Sequence, residues 1–161
     1  MPCSGRRRTA RACRISKCHR HPRGDRGTDA QSDRESAHTG RLYCLERGTL
    51  TVRDSGYVIT NGPAFSPDGR TLYHTDPLEK LIYAFDRDGG GALSNRRVFV
   101  RIEEGAGHPD GPVVDAEGCL WTGLFGGFAV RRYSPGGELL NHVPFPVANV
   151  TKIAFGAEDL R

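Results

Sequence analysis

Two residues stand where oxygen chemistry could be displayed. Asn61 follows the β-branched pair Ile59-Thr60 and precedes Gly62-Pro63, which puts it at the end of a strand before a turn. Asp110 lies between Pro109 and Gly111, on a loop that opens a new run of strands. An amide carbonyl and a carboxylate are oxygen donors, the kind that suits hard cations such as calcium or magnesium. Loops at the ends of a rigid β-scaffold are where functional side chains are usually displayed. Asn-Gly and Asp-Gly pairs are equally turn formers in any β protein, so spacing alone leaves both readings open. A second donor set lies upstream, where Cys13 and Cys18 are followed by His19 and His21. A structural zinc site needs four ligands at recurring spacings and a small fold around them. The flanks here are arginine, serine and glycine, and zinc is not expected in that segment. The cysteines number five, and an odd count argues against a disulfide framework.

The elements that must position Asn61 and Asp110 repeat. Leu42-Tyr43-Cys44-Leu45, Leu81-Ile82-Tyr83-Ala84-Phe85 and Phe128-Ala129-Val130-Arg131-Arg132-Tyr133 each lead through a Gly-rich turn into a returning strand. A second element alternates with these hairpins. Phe65-Ser66-Pro67-Asp68-Gly69-Arg70-Thr71-Leu72-Tyr73 is similar to Val114-Asp115-Ala116-Glu117-Gly118-Cys119-Leu120-Trp121, a strand, an acidic turn closed by glycine, and a strand with Leu before an aromatic. Together they give about four strands per repeat at a period of about 40–50 residues, which is typical of β-propeller blades. An ordinary β-sandwich is the competing architecture. Asp68, Asp86, Asp88 and Asp115 are explained by turns, Trp121 by packing within a blade, and His108 by its place on a loop. The repeat count is about two and a half, whereas a closed propeller needs at least four blades. The expectation is therefore an all-β chain, a partial propeller truncated at both ends, over residues 40–161.

Residues 1–39 are of another kind. Up to Cys44 there are 11 Lys and Arg against 4 Asp and Glu, net +7, while the whole chain carries +4, so the remainder is acidic at −3. Met1 and Ile15 are the large apolar residues before Arg41. Such a segment cannot bury enough surface to offset its ordering entropy and is expected to be disordered. Its readings are an altered start or reading frame, a solvated arm, a nucleic-acid-binding arm, or an arginine-rich mitochondrial-type leader. No aromatic residue interleaves with the arginines to stack on bases, so nucleic acid is not expected as a partner. No stretch approaches the roughly 20 apolar residues that span a bilayer. The N-terminus lacks the apolar core of a secretory signal, and the default compartment is the cytoplasm.

Five stretches go beyond generic blades: Ile59-Thr60-Asn61-Gly62-Pro63-Ala64-Phe65-Ser66-Pro67-Asp68-Gly69, Leu93-Ser94-Asn95-Arg96-Arg97-Val98-Phe99, His108-Pro109-Asp110-Gly111, the stretch from Val114 to Trp121, and Ala154-Phe155-Gly156. In this order and spacing the chain from Gly40 resembles the middle of the family of senescence marker protein, gluconolactonase and luciferin-regenerating enzyme. Gly27-Thr28 resembles the end of a preceding blade, and nothing before Arg26 resembles the family. The resemblance implies a six-bladed propeller with one divalent metal in its channel, Ca2+ first and Mg2+, Mn2+ or Zn2+ as alternatives. It implies hydrolysis of small-molecule sugar lactones. Asn61 matches a metal ligand of the family, and Asp110 matches the aspartate that binds the metal and acts as catalytic base. A third ligand, a glutamate from the first blade, and a substrate-binding asparagine have no matching positions; Glu35 lies in the unmatched region and carries no role. The resulting expectation is a metal-dependent lactonase with impaired activity. The alternative is a non-catalytic, calcium-binding or edge-pairing β-sheet fragment, since open edges are templates for self-association.

Overall fold

The computed structural model describes residues 38–156. The basic segment, with Cys13, Cys18, His19, His21, Gly27, Thr28 and Glu35, lies outside them. Ten strands and no helix make up the described residues. Strands β1 (Gly40–Glu46) and β2 (Thr49–Tyr57) form a two-stranded antiparallel hairpin. A four-stranded meander follows: β3 (Asn61–Phe65), β4 (Thr71–Asp76), β5 (Leu81–Arg87) and β6 (Leu93–Arg101). A second meander repeats it with β7 (His108–Val114), β8 (Leu120–Phe125), β9 (Ala129–Tyr133) and β10 (Leu139–Pro144). The repeats anticipated above are thus two whole propeller blades and the outer half of another. One tyrosine of each hairpin, Tyr43, Tyr83 and Tyr133, sits on β1, β5 and β9, the third strand of each blade.

Strand residues alternate between the two faces of a sheet, and here both faces are covered. On one face of the first meander, Ala64, Tyr73, Ile82, Ala84 and Val100 pack against Leu120, Leu124, Ala129 and Tyr133 of the second. On the other face, Leu72 and Phe85 pack against Leu42 and Tyr57 of the hairpin. The acidic turns are held by their own aspartates. Asp68 accepts from Ser66 Oγ (2.6 Å) and the Arg70 amide (3.0 Å), and Asp115 from the amides of Glu117 (3.0 Å) and Cys119 (2.9 Å). Asp115 also takes Trp121 Nε1 (2.8 Å) and the Arg132 guanidinium, so Trp121 is built into its blade as expected.

The connection from β6 to β7 leads directly to Asp110, and it is tied down by charge. Arg131 on β9, with a nearly buried side chain, grips both carboxylate oxygens of Glu103, one at 2.7 Å. Its hydrogen bonds hold the Glu103 carboxyl down at about 2. Because the folded value lies below the ordinary 4.5, the contribution to stability is full above that range and is lost as pH falls toward 2. Glu103 remains 63% exposed, so the effect is modest. Glu103→Gln is expected to lower the melting midpoint by about 2–4 °C at pH 7. Thermal melts followed by circular dichroism should show that difference shrinking to nothing near pH 2.

Candidate functional site

The inner strands of the two blades, β3 and β7, lie side by side and each presents one of the two residues singled out above. Their placement differs from the expectation: Asn61 opens β3 instead of ending a strand, and Asp110 is the third residue of β7 instead of lying on a loop. They are 49 residues apart in sequence, yet the Asn61 side-chain amide donates directly to Asp110 Oδ1. Asn61 Oδ1 accepts from the Gly62 amide at 2.7 Å.

The local cause is a shared motif. Asn61-Gly62-Pro63 and Asp110-Gly111-Pro112 are the same three-residue pattern, and the strand register shifts at both, between Asn61 and Ala64 and between Asp110 and Val113. A shift of this kind bends a strand and re-aims the side chain beside it. Both glycines take positive φ, +98° and +52°. At Gly111 space is also decisive, since a Cβ would stand 2.2 Å from the Thr151 carbonyl oxygen. Neither glycine is replaceable without moving the residue before it. The individual pairs were visible in the sequence; their equivalence across two blades is the signal that would have joined them.

Supporting groups surround the pair. In register, Asn61 faces Thr75 on β4 and Asp110 faces Gly123 on β8. Thr122 directs its hydroxyl to the Asp110 carbonyl at 2.9 Å. His108, expected on a loop, is instead the first residue of β7, and it pairs its Nδ1 with the Pro77 carbonyl at 2.9 Å, which joins β7 to the β4–β5 turn. Asp76, which no sequence pattern marked, is 1% exposed and accepts from the amides of Val58 (2.7 Å) and Ile59 (3.2 Å), on the approach to Asn61.

The donor set bears on a metal. Asn61 and Asp110 supply oxygen only, from two adjoining strands, and both are partly exposed, which fits a hard cation in type and in access. Among the described residues no group of three or more His, Cys, Asp or Glu could hold an ion.

The family model described as SMP-30/Gluconolactonase/LRE-like region matches residues 17–161. The chain belongs to this family. The match corrects the expectation that nothing before Arg26 resembles the family, since it extends back to residue 17. Over 130 residues the chain is 38% identical to the 6-deoxy-6-sulfogluconolactonase of Pseudomonas putida, covering 80% of this chain and 44% of that protein. Over 124 residues it is 37% identical to a pentonolactonase of Haloferax volcanii, covering 75% and 42%. The solved structure of a calcium-binding protein, regucalcin, from Agrobacterium tumefaciens superimposes with a TM-score of 0.72 at 30% identity, covering 79% of this chain and 44% of that one. This SMP-30/gluconolactonase-like chain thus spans less than half the length of the relatives it matches.

Two buried threonines flank the site with opposite hydrogen bonding. Thr122 and Thr75 are both fully buried, but the Thr75 hydroxyl has no hydrogen-bond partner among the described residues. Thr122→Val should cost about 1–2 kcal/mol, since it strips a donor from the Asp110 carbonyl. Thr75→Val keeps the shape and removes a desolvated hydroxyl, so it should be neutral or stabilising by up to about 1 kcal/mol. Urea unfolding of the two variants checks the contrast.

Proposed function

We propose that this chain carries the lactone-opening site of a gluconolactonase-like, metal-dependent hydrolase, with Asn61 as metal ligand and Asp110 as metal ligand and general base. The observation behind the reading is the meeting of Asn61 and Asp110 across β3 and β7, from equivalent bulged positions each followed by Gly-Pro. The likeness to sugar lactonases and to a calcium-binding regucalcin supports a sugar-lactone substrate and a divalent cation. Calcium is the preferred ion, with magnesium, manganese or zinc in the same place. The Asn61 carbonyl and the Asp110 carboxylate would hold it, and when bound it supplies positive charge to the lactone carbonyl oxygen.

The residues of the chain do the rest. Asn61, donating to Asp110 Oδ1, fixes the carboxylate plane and leaves Oδ2 available. A water within hydrogen-bond reach of Oδ2 gives up its proton there as its oxygen attacks the ring carbonyl. The bond from that carbonyl carbon to the ring oxygen then breaks, and the proton held by Asp110 passes to the departing oxygen. The product is the open hydroxy acid. Two protein ligands make a weak cation site, so the reading includes low metal affinity and a slow rate. Among the described residues no helix is long and apolar enough to cross a membrane.

A second reading has its own observation. Edge strand β10 is exposed throughout and shows Leu139, Leu140 and Val143 to solvent. Such an edge favours pairing with another chain, and in that case the metal-free protein is a stable oligomer by light scattering.

The catalytic reading is tested with gluconolactone, following acid release. Turnover should rise with Ca2+ and half-saturate at about 10⁻⁴–10⁻³ M. Asp110→Asn should reduce the Ca2+-dependent rate about 10²–10⁴-fold. A rate indifferent to both chelator and Asp110→Asn would remove the proposal.

A further inference from the structure

We propose that Asp76 is a positioning residue of this site: its buried carboxylate anchors the chain entering β3 and so presents Asn61 to Asp110. The inference rests on the metal-ligand reading of Asn61 for its functional consequence, but its geometry stands without it.

Burying an ionised carboxylate costs free energy unless hydrogen bonds replace its water. At Asp76 those bonds come from the Val58 amide at 2.7 Å and the Ile59 amide at 3.2 Å. The two blades, compared position by position, show why a carboxylate is used. Asn61 corresponds to Asp110, Thr75 to Gly123, and Asp76 therefore to Leu124. In the second blade the ladder continues past Asp110, with Pro109 opposite Leu124 and His108 opposite Phe125. In the first blade the ladder starts at Asn61, because the preceding residues turn away toward β2. The amides of Val58 and Ile59 thus have no neighbouring strand, and the Asp76 carboxylate takes its place as acceptor.

Asn61 depends on this anchor more than an ordinary strand residue would. On its other side the register shifts before Ala64, so its single ladder pair with Thr75 stands next to a bulge. Asp110 has the longer ladder and the Thr122 hydroxyl at its carbonyl. Asn61 has Asp76. An ionised carboxylate is an acceptor only and suits two N–H donors at once, whereas an asparagine would turn its own NH2 toward one of them.

Asp76→Asn in the full chain provides the test. Exchange of the Asn61 side-chain NH2 protons is followed by NMR in metal-free protein, with the signals assigned by their loss in Asn61→Asp. Ca2+ affinity is measured separately by titration calorimetry. Folded Asp76→Asn should speed that exchange at least about tenfold and weaken Ca2+ binding about 10–100-fold, the usual range for an outer partner of a metal ligand. Unchanged Asn61 exchange in folded protein overturns the proposal. If exchange changes but neither protein binds Ca2+, the positioning role stands and the metal reading of Asn61 fails. Should Asp76→Asn not fold, Asp76→Glu, which keeps the charge and displaces it, must show the faster exchange. Failure of both variants to fold overturns a positioning role in favour of a general structural one.

Discussion

A blade of this protein is a sheet with two apolar faces, and neither can be left in water. The meander from β3 to β6 meets that constraint by lying between the hairpin and the second meander, with Leu72 and Phe85 turned one way and Tyr73, Ile82 and Ala84 the other. At about 25 cal/mol per Å² of apolar surface, covering both faces is the dominant favourable term, and it fixes how neighbouring blades sit. The proximity of β3 to β7 follows from that packing, and with it the meeting of Asn61 and Asp110. The site is thus a consequence of face-to-face burial, with the last few ångströms set by the paired bulges.

Charged groups divide between seams and site. Arg96 lies over the rings of Tyr57 (4.8 Å) and Tyr83 (4.1 Å) and pairs with Asp54 at 3.1 Å, joining the hairpin to the first whole blade. Burial, then the hydrogen bond to Asp54, keeps the Tyr57 phenol protonated far above its ordinary range. Arg131 and Glu103 do the equivalent work between the β6–β7 connection and β9. Cations placed over aromatic faces and across seams add about 0.5–2 kcal/mol each and fix orientation, which plain apolar contact does not.

The sequence disclosed the repeat well and the support of the site poorly. Gly-rich turns, alternating strands and the Leu-aromatic pairs at Leu72-Tyr73 and Leu120-Trp121 follow from local rules, so the four-stranded repeat could be read directly. Asn61 and Asp110 were legible through motif order. Their contact was not, because it depends on which strands become neighbours. Asp76, Thr75 and His74 were hidden for a different reason. In the middle strand of a covered sheet, burial no longer tracks residue type, and a run such as Thr71-Leu72-Tyr73-His74-Thr75-Asp76 reads as half-exposed when five of its six residues are buried.

The aspartates show how differently the fold surrounds carboxylates that look alike in the sequence. Hydrogen bonds hold these carboxyls below their ordinary range, from Ser66 at Asp68 and the Ala92 amide at Asp88 in turns, and from Asn95 at Asp86, which sits on β5 rather than in the turn expected for it. Asp115 takes two amides, an indole and a guanidinium. Asp68, Asp86 and Asp88 each accept two hydrogen bonds and Asp115 more, and each fixes a turn or a strand pair. Asp110 accepts one side-chain amide on one oxygen, at a place where the strand bulges toward its neighbour. A carboxylate can accept about four hydrogen bonds, so acceptor capacity at Asp110 remains for a cation or a proton. Both kinds of aspartate precede or adjoin a glycine turn in the sequence. What distinguishes them is the number of donors the fold brings to each, which is settled only when the blades pack.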